Sequence, residues 1–206
     1  GTHVLKFSQD GKFLLQIGGS GPSKGNNDTT QLGRPADTWF DAGANEVYVA
    51  DGYSNRRIIV FDSETGAYKR HWGAYGRKPD DSVPFKYDPN VLPSQFSTPH
   101  GIEVSRDGMV YLADRNASRV QAFKIDGTFV AERRVEPQTV LKIVISPSFV
   151  TPDLSQVDNS SNPAGSAPLM RICALLNSKA PGGGLTALII SPDAKQKTKN
   201  HVSLSF

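Results

Sequence analysis

Two stretches of the chain are copies of one another. The run from Pro35, PADTWFDAGANEVYVADGYSNRRIIVFDSETGAYKRHWG, returns from Pro99 as PHGIEVSRDGMVYLADRNASRVQAFKIDGTF, and the Val-Tyr-x-Ala-Asp word that ends at Asp51 ends again at Asp114. Asp51 and Asp114 lie 63 residues apart, and Phe61 and Phe123 lie 62 apart, so the register holds across the unit. A repeat of fixed period is the mark of a stacked architecture, in which each unit buries its apolar faces against its neighbours.

Within each copy, β-branched and aromatic residues alternate with polar ones in short runs broken by Asp-Gly or Thr-Gly, which is how antiparallel strands joined by tight turns read in sequence. The second copy predicts strands at Gly101–Val104, Met109–Leu112, Arg119–Phe123 and Thr128–Ala131, with turns at 106–108, 116–118 and 126–127. No amphipathic helix separates them. Four strands of this kind form one blade, so the expected fold class is all-β: a partial β-propeller of about two four-stranded blades. Upstream, Val4–Phe7 and Lys12–Ile17 around Asp10-Gly11 reproduce the back half of a blade. A chain that opens in mid-blade without an initiating Met or targeting segment is expected to be a fragment or an incomplete reading frame.

The repeat stops after Val135. Sixteen of the 18 aromatic residues fall in positions 1–136, and the remainder is rich in Ser, Asn, Pro and Gly. The expected division is therefore an incomplete propeller over 1–136 and an irregular tail over 137–206. That tail is a divergent blade, a non-propeller appendage, or a shifted frame never selected to fold. Its apolar runs, Val140–Ile145, Leu169–Leu176 and Leu185–Ile190, suit strands or one short helix.

The formal net charge of +3 is carried by basic residues interspersed with acids, Arg56, Arg57, Arg70, Arg77 and Lys78 among them. That pattern reads as solvated surface rather than a nucleic-acid footprint. No apolar run approaches the ~18–20 residues needed to cross a bilayer as a helix. The single Cys173 excludes an intrachain disulfide framework and a thiolate metal site. Sequons at Asn27, Asn116 and Asn159 are near chance frequency.

In an antiparallel meander the start of the first strand and the end of the second share one sheet edge. Pro99-His100 precedes one blade's first strand, Asp114-Arg115 follows its second, and Asp51-Gly52-Tyr53 follows the second strand of the blade before. The sequence therefore predicts a constellation of His100, Arg115, Tyr53, Asp51 and Asp114 at one face, where propellers commonly bind ligands. Asp51, Asn55, Asp114 and Asn116 are expected to hydrogen-bond their own turn backbones, and Arg57 and Arg119 to brace neighbouring turns or blades. His100 stands where the first copy has Ala36, and Arg115 where it has Gly52. These departures from the repeat are not required by the blade. Tyr53 either packs with its hydroxyl wet or serves as a proton-transfer group. An imidazole suits a zinc ligand or an acid–base role near neutral pH, but His3, His71 and His201 fall where they are not expected to reach His100. The long Tyr75–Ser97 connection either lids the channel or is an exposed insertion, and Gly18–Asp28 reads as a flexible inter-blade loop.

The words Val-Tyr-Val-Ala-Asp-Gly-Tyr-x-Asn-x-Arg-Ile at 47–58, Gln95-Phe96-Ser97-x-Pro99-His100 and Leu112-Ala113-Asp114-Arg115-Asn116 resemble NHL-repeat propellers. More narrowly they resemble the peptidyl-α-hydroxyglycine α-amidating lyases and their bacterial NHL relatives. The resemblance covers roughly residues 2–134. It implies a six-bladed propeller that cleaves a peptidyl-α-hydroxyglycine to a peptide amide and glyoxylate, with a channel zinc held by three histidines. Carried over position by position, it makes Tyr53 the catalytic tyrosine, His100 one zinc ligand and Arg115 a catalytic arginine that pairs the substrate carboxylate. Two further Pro-His blades have no counterpart, so this chain alone is expected to be inactive. The expected partner is a small peptide-like substrate or a protein ligand at the channel face, with no nucleic acid, and export is the expected destination. The alternative reading is a non-catalytic NHL scaffold that binds protein or ligand.

Overall fold

The computed structural model describes residues 1–83, 88, 91, 93–135 and 139–146, together with the backbone of three strands at 171–177, 185–190 and 201–203. Strands β1 (Val4–Phe7) and β2 (Phe13–Ile17) form a two-stranded sheet. They are followed by β3 (Asp37–Asp41), β4 (Glu46–Asp51), β5 (Arg57–Asp62) and β6 (Tyr68–Trp72), an antiparallel four-stranded meander. The second copy builds the same meander from β7 (Pro99–Val104), β8 (Met109–Asp114), β9 (Arg119–Lys124) and β10 (Phe129–Arg134). The strands match the predicted runs and extend them by a few residues. The turns follow the predicted chemistry: Gly11, Gly66, Gly108 and Gly127 hold the positive φ needed to close each hairpin.

A third four-stranded sheet, in the order β11 (Thr139–Ser146), β12 (Arg171–Asn177), β13 (Leu185–Ile190) and β14 (His201–Ser203), is antiparallel throughout. The apolar runs of the tail thus fall on strands. The Ser/Asn/Pro-rich segment 157–168 and the Pro-Gly-Gly-Gly break at 181–184 lie outside the described residues.

Strand β4 shows why the sheets must stack. Its alternate residues point to opposite faces, Val47 and Val49 to one and Tyr48 and Ala50 to the other, and both faces are buried. Val47, Val49, Ile59 and Phe61 pack with Ile17 and Leu32, on the side of the half blade. Tyr48, Ala50, Ile58, Val60 and Trp72 pack instead with Phe96, Ile102, Val110, Leu112 and Phe123 of the next sheet. The opposite face of that sheet, Tyr111, Ala113, Val120 and Ala122, packs on Val140 and Ile143 of β11. Each side chain that is fully buried in this way contributes roughly 1.5–3 kcal/mol, and it does so only because a neighbouring sheet covers it.

The first strands of successive sheets approach most closely. A Cβ on Gly52 would sit 1.8 Å from the Pro99 carbonyl oxygen, and one on Gly101 would sit 2.7 Å from Lys142 Cα and 2.8 Å from the Leu141 oxygen. The Ile102 N–H donates to Asp37 Oδ2 at 3.2 Å, joining β7 to β3. Glycine at 52 and 101 therefore sets the spacing between sheets.

Candidate functional site

The edge at which β3 and β7 begin and β4 and β8 end carries the predicted residues. Two buried ion pairs fix it. Asp51 and Arg57 have fully buried side chains, with Arg57 Nε 2.9 Å from Asp51 Oδ2; Asp114 and Arg119 repeat the arrangement at the same distance. The aspartates do not close on their own turns as expected. Asp51 Oδ1 accepts the Gly33 N–H at 2.7 Å, and Asp114 Oδ1 accepts the N–H groups of Ser97 and Thr98 at 2.9 and 2.8 Å. Each carboxylate thus staples the incoming segment to the end of the second strand. The reason is burial: a carboxylate sealed from water needs a guanidinium and backbone donors together, and a local turn offers only the latter.

The arginines brace the surroundings as predicted. Arg57 donates to the carbonyls of Asn26, Asp28 and Gln31, which pins the predicted flexible loop against the blade. Arg57 is thereby removed from the solvated surface on which sequence patterning placed it. Arg119 donates to the Pro93 and Gln95 carbonyls, the Tyr75 hydroxyl and Glu132. The described part of the 75–97 connection also docks on the 18–28 loop. Asp81 accepts from the Asn26 backbone at 3.1 Å, and Asn27 Nδ2 donates to the Pro79 carbonyl at 3.1 Å. Residues 84–87, 89–90 and 92, on which its reading as a lid also depends, lie outside the described residues.

On this frame Tyr53 and His100 meet. The Tyr53 hydroxyl lies 3.2 Å from His100 Nε2, and the rings make an edge contact at 5.8 Å between centroids. His100 Nδ1 lies 2.7 Å from the Leu141 carbonyl oxygen on β11. A carbonyl only accepts, so Nδ1 carries the hydrogen and donates it; in the neutral imidazole Nε2 then presents a lone pair and accepts the Tyr53 O–H. The tautomer is fixed by backbone, and the tyrosine is directed by the histidine. Tyr53 is 49% exposed and His100 partly so, which leaves the pair within reach of solution.

Arg115 stands in a short 3₁₀ turn, Arg115–Ala117, directly after β8. Its N–H donates to the Thr98 carbonyl at 3.0 Å, which sets its backbone beside the Pro99-His100 entry. Among the described residues no hydrogen bond or ion pair joins its guanidinium to Tyr53 or His100. Sequence reasoning missed Arg34, whose Cζ lies 5.8 Å from the Tyr53 ring centroid. It also missed the Leu141 carbonyl. His71 lies apart on β6, between the Tyr68 hydroxyl at 2.8 Å and Asn27 Oδ1 at 3.2 Å. Burial first, and then the Arg57 and Lys78 charges, hold its pKa below the ordinary imidazole value.

A zinc held by three histidines is not matched by these residues. Among the described residues no group of three or more His, Cys, Asp or Glu side chains is placed to hold a metal ion. His100 offers one nitrogen, and that nitrogen faces Tyr53.

Four-stranded antiparallel sheets stacked face to face, with the polar residues gathered where first strands begin, define blades of a β-propeller, and residues 96–123 match the NHL repeat family. Residues 96–123 thus carry an NHL repeat, and the sheets around them have the form of propeller blades. In sequence the chain resembles peptidylglycine alpha-amidating monooxygenase. It is 32% identical to the Rattus norvegicus protein over 120 residues, 58% of this chain and 11% of that one. To the Mus musculus protein it is 33% identical over 101 residues, 48% of this chain and 9% of that one. The match thus spans about a tenth of the length of these curated relatives. A solved structure from Bacteroides fragilis, a candidate 6-phosphogluconolactonase, aligns at 18% identity with a TM-score of 0.49, over 98% of this chain and 50% of that one.

Proposed function

We propose that these sheets are part of a larger propeller of the amidating-lyase type, acting on a peptidyl-α-hydroxyglycine or a similar carbinolamide. The observation that carries the reading is the Tyr53–His100 pair, with its tautomer set by Leu141. The sequence likeness to alpha-amidating enzymes supports it.

In this reading the Tyr53 oxygen accepts the proton of the substrate α-hydroxyl as its own proton passes to His100 Nε2. The C–O bond becomes a carbonyl, the C–N bond breaks with its electron pair on nitrogen, and the proton held by the pair returns to that nitrogen. The products are a peptide amide and glyoxylate; no water, oxidant or reductant is consumed. Such proton transfer by a positioned side chain contributes about 10²–10⁴-fold to a rate. Arg115, at the entry to the same edge, pairs the substrate carboxylate as a planar two-pronged donor. The resemblance implies zinc as well, but with one imidazole at this edge among the described residues, the steps assigned to this chain's residues do not run through it.

The test is glyoxylate release from a peptidyl-α-hydroxyglycine, by this chain and by a chain extended through the remaining blades. The expected result is turnover in the extended protein that falls by about 10²–10⁴-fold in Tyr53→Phe and in His100→Ala. A folded, extended protein with no turnover makes the chain a binding propeller instead.

A further inference from the structure

Strand β1 repeats the third strand of each complete blade. Aligned by their phenylalanines, His3-Val4-Leu5-Lys6-Phe7 stands where the blades have Arg57-Ile58-Ile59-Val60-Phe61 and Arg119-Val120-Gln121-Ala122-Phe123. Strands β5 and β9 each lie between two neighbours, and on one side that neighbour is a Val-Tyr-x-Ala-Asp strand, β4 or β8. Among the described residues β1 pairs with β2 alone. Its other edge leaves backbone N–H and C=O groups without ladder partners, and such an edge is a template for a further strand.

The faces beside that edge are bare in the same place. Phe40 is 53% exposed, whereas Val104, its twin in the second blade, is 7% exposed beneath the Tyr48 and Ala50 face of β4. Thr38 is exposed too, and its twin Ile102 is buried. Between β1 and β3 runs a trough of about 350 Å³ whose walls include Lys6, Thr38, Phe40 and Val47. Phe7 of β1 is exposed as well, where Phe61 and Phe123 are buried. The half blade thus lacks cover where a Val-Tyr-x-Ala-Asp strand places its Tyr and Ala.

His3 supplies the register. Its twins Arg57 and Arg119 hold the aspartate that ends the adjoining strand, Asp51 or Asp114, and each pair lies directly opposite in the ladder. His3 Nδ1 is buried and, among the described residues, has no hydrogen-bond partner. A buried polar atom in this state calls for one. In the twin blades the partner is a carboxylate, and an imidazole N–H donates to a carboxylate as a guanidinium does.

We infer that the open edge of β1 is completed by an antiparallel strand of the pattern Val-Tyr-x-Ala-Asp, contributed by the part of the larger propeller outside residues 1–206, with its aspartate latched by His3. In that register the aspartate lies opposite His3, the alanine opposite Val4 and the tyrosine opposite Lys6, where it fills the trough. The inference rests on the larger-propeller part of the proposed function and not on its chemistry.

The probe is a peptide of residues 99–115, blocked at both ends, which spells the first two strands of a blade and carries the Asp-Arg end. Titrated into this chain, it is expected to bind saturably and to protect the β1 amides from hydrogen exchange. It should also bind about tenfold more tightly than its Asp114→Asn form, the worth of one charge-assisted hydrogen bond. His3→Arg keeps that preference and His3→Leu abolishes it. The comparison of the two peptides is made on the unaltered protein, so it stands even where a variant fails to fold. Absence of binding, binding that leaves β1 exchange unchanged, equal affinity for the two peptides, or a preference undiminished in His3→Leu overturns the inference. So does a dimer of the chain, seen by sedimentation without peptide, that already protects those amides, because the edge then belongs to a second copy. Latched binding here, together with an extended protein that releases no glyoxylate, keeps the inference and removes the lyase reading. Turnover in the extended protein without such binding does the reverse.

Discussion

Among single residues, the buried Asp51–Arg57 pair shows how a polar element can be architectural at the edge of a candidate site. Removing one member leaves the other charged and sealed from water, so Asp51→Ala is expected to cost about 3–5 kcal/mol in urea unfolding. Asp114→Ala should cost less, because Arg119 keeps a counter-charge in Glu132 at 3.0 Å. Equal losses would refute this. The repeat made both aspartates and their arginines visible in the sequence, but not the backbone donors at Gly33, Ser97 and Thr98, which come from the segment before each blade. Tyr53 and His100 were legible for the opposite reason, as departures from a pattern. The same comparison, Gly-Arg-Pro against Ser-Thr-Pro, carried the signal for Arg34, but one substitution on an exposed loop does not announce a contact with the Tyr53 ring. The Leu141 carbonyl had no signal at all. A backbone acceptor has no side chain to read, and it lies beyond the point where the repeat ends.

Strands were the most legible elements, because period-two alternation and Gly-bearing turns fix both their extent and their register. What alternation does not disclose is how a polar residue fares on a buried face. Glu46 on β4 is nearly enclosed, with both oxygens held by Arg70 at 2.7 Å and the Tyr48 hydroxyl donating at 2.7 Å. The Arg70 hydrogen bonds, with help from Tyr48 and Lys69 and against the effect of burial, hold its pKa at about 2 where an ordinary value is 4.5. The folded pKa is thus depressed. The pair's contribution is complete above pH 4.5 and is lost as pH falls toward 2. Urea midpoints taken between those limits should decline with acid, and Arg70→Gln should flatten the decline. A slope that Arg70→Gln leaves unchanged would assign the acid sensitivity to other carboxylates.

On the scale of the molecule, sheets are joined by apolar faces and by a few backbone contacts with no tolerance for extra atoms. Gly101→Ala would drive a methyl group into the Lys142 backbone at 2.7 Å, so β7 and β11 must part. The expected result is a stability loss together with a change in the His100 imidazole resonances, since Nδ1 loses the Leu141 carbonyl. Unaltered resonances in the folded variant would show that the sheets yield elsewhere. The face-to-face stacking itself was predictable from two-sided apolar strands, whereas the distance between sheets was not, because it is set by where a side chain is missing. The Tyr53 hydroxyl, the His100 ring and the Leu141 carbonyl come from three consecutive sheets. A chain whose blades are individually folded but imperfectly docked would hold every one of these groups and still have an untethered imidazole. Chemistry at this edge would therefore fail before the fold does, and the hydrogen bond held by one imidazole would act as a gauge of whether the blades have closed upon one another.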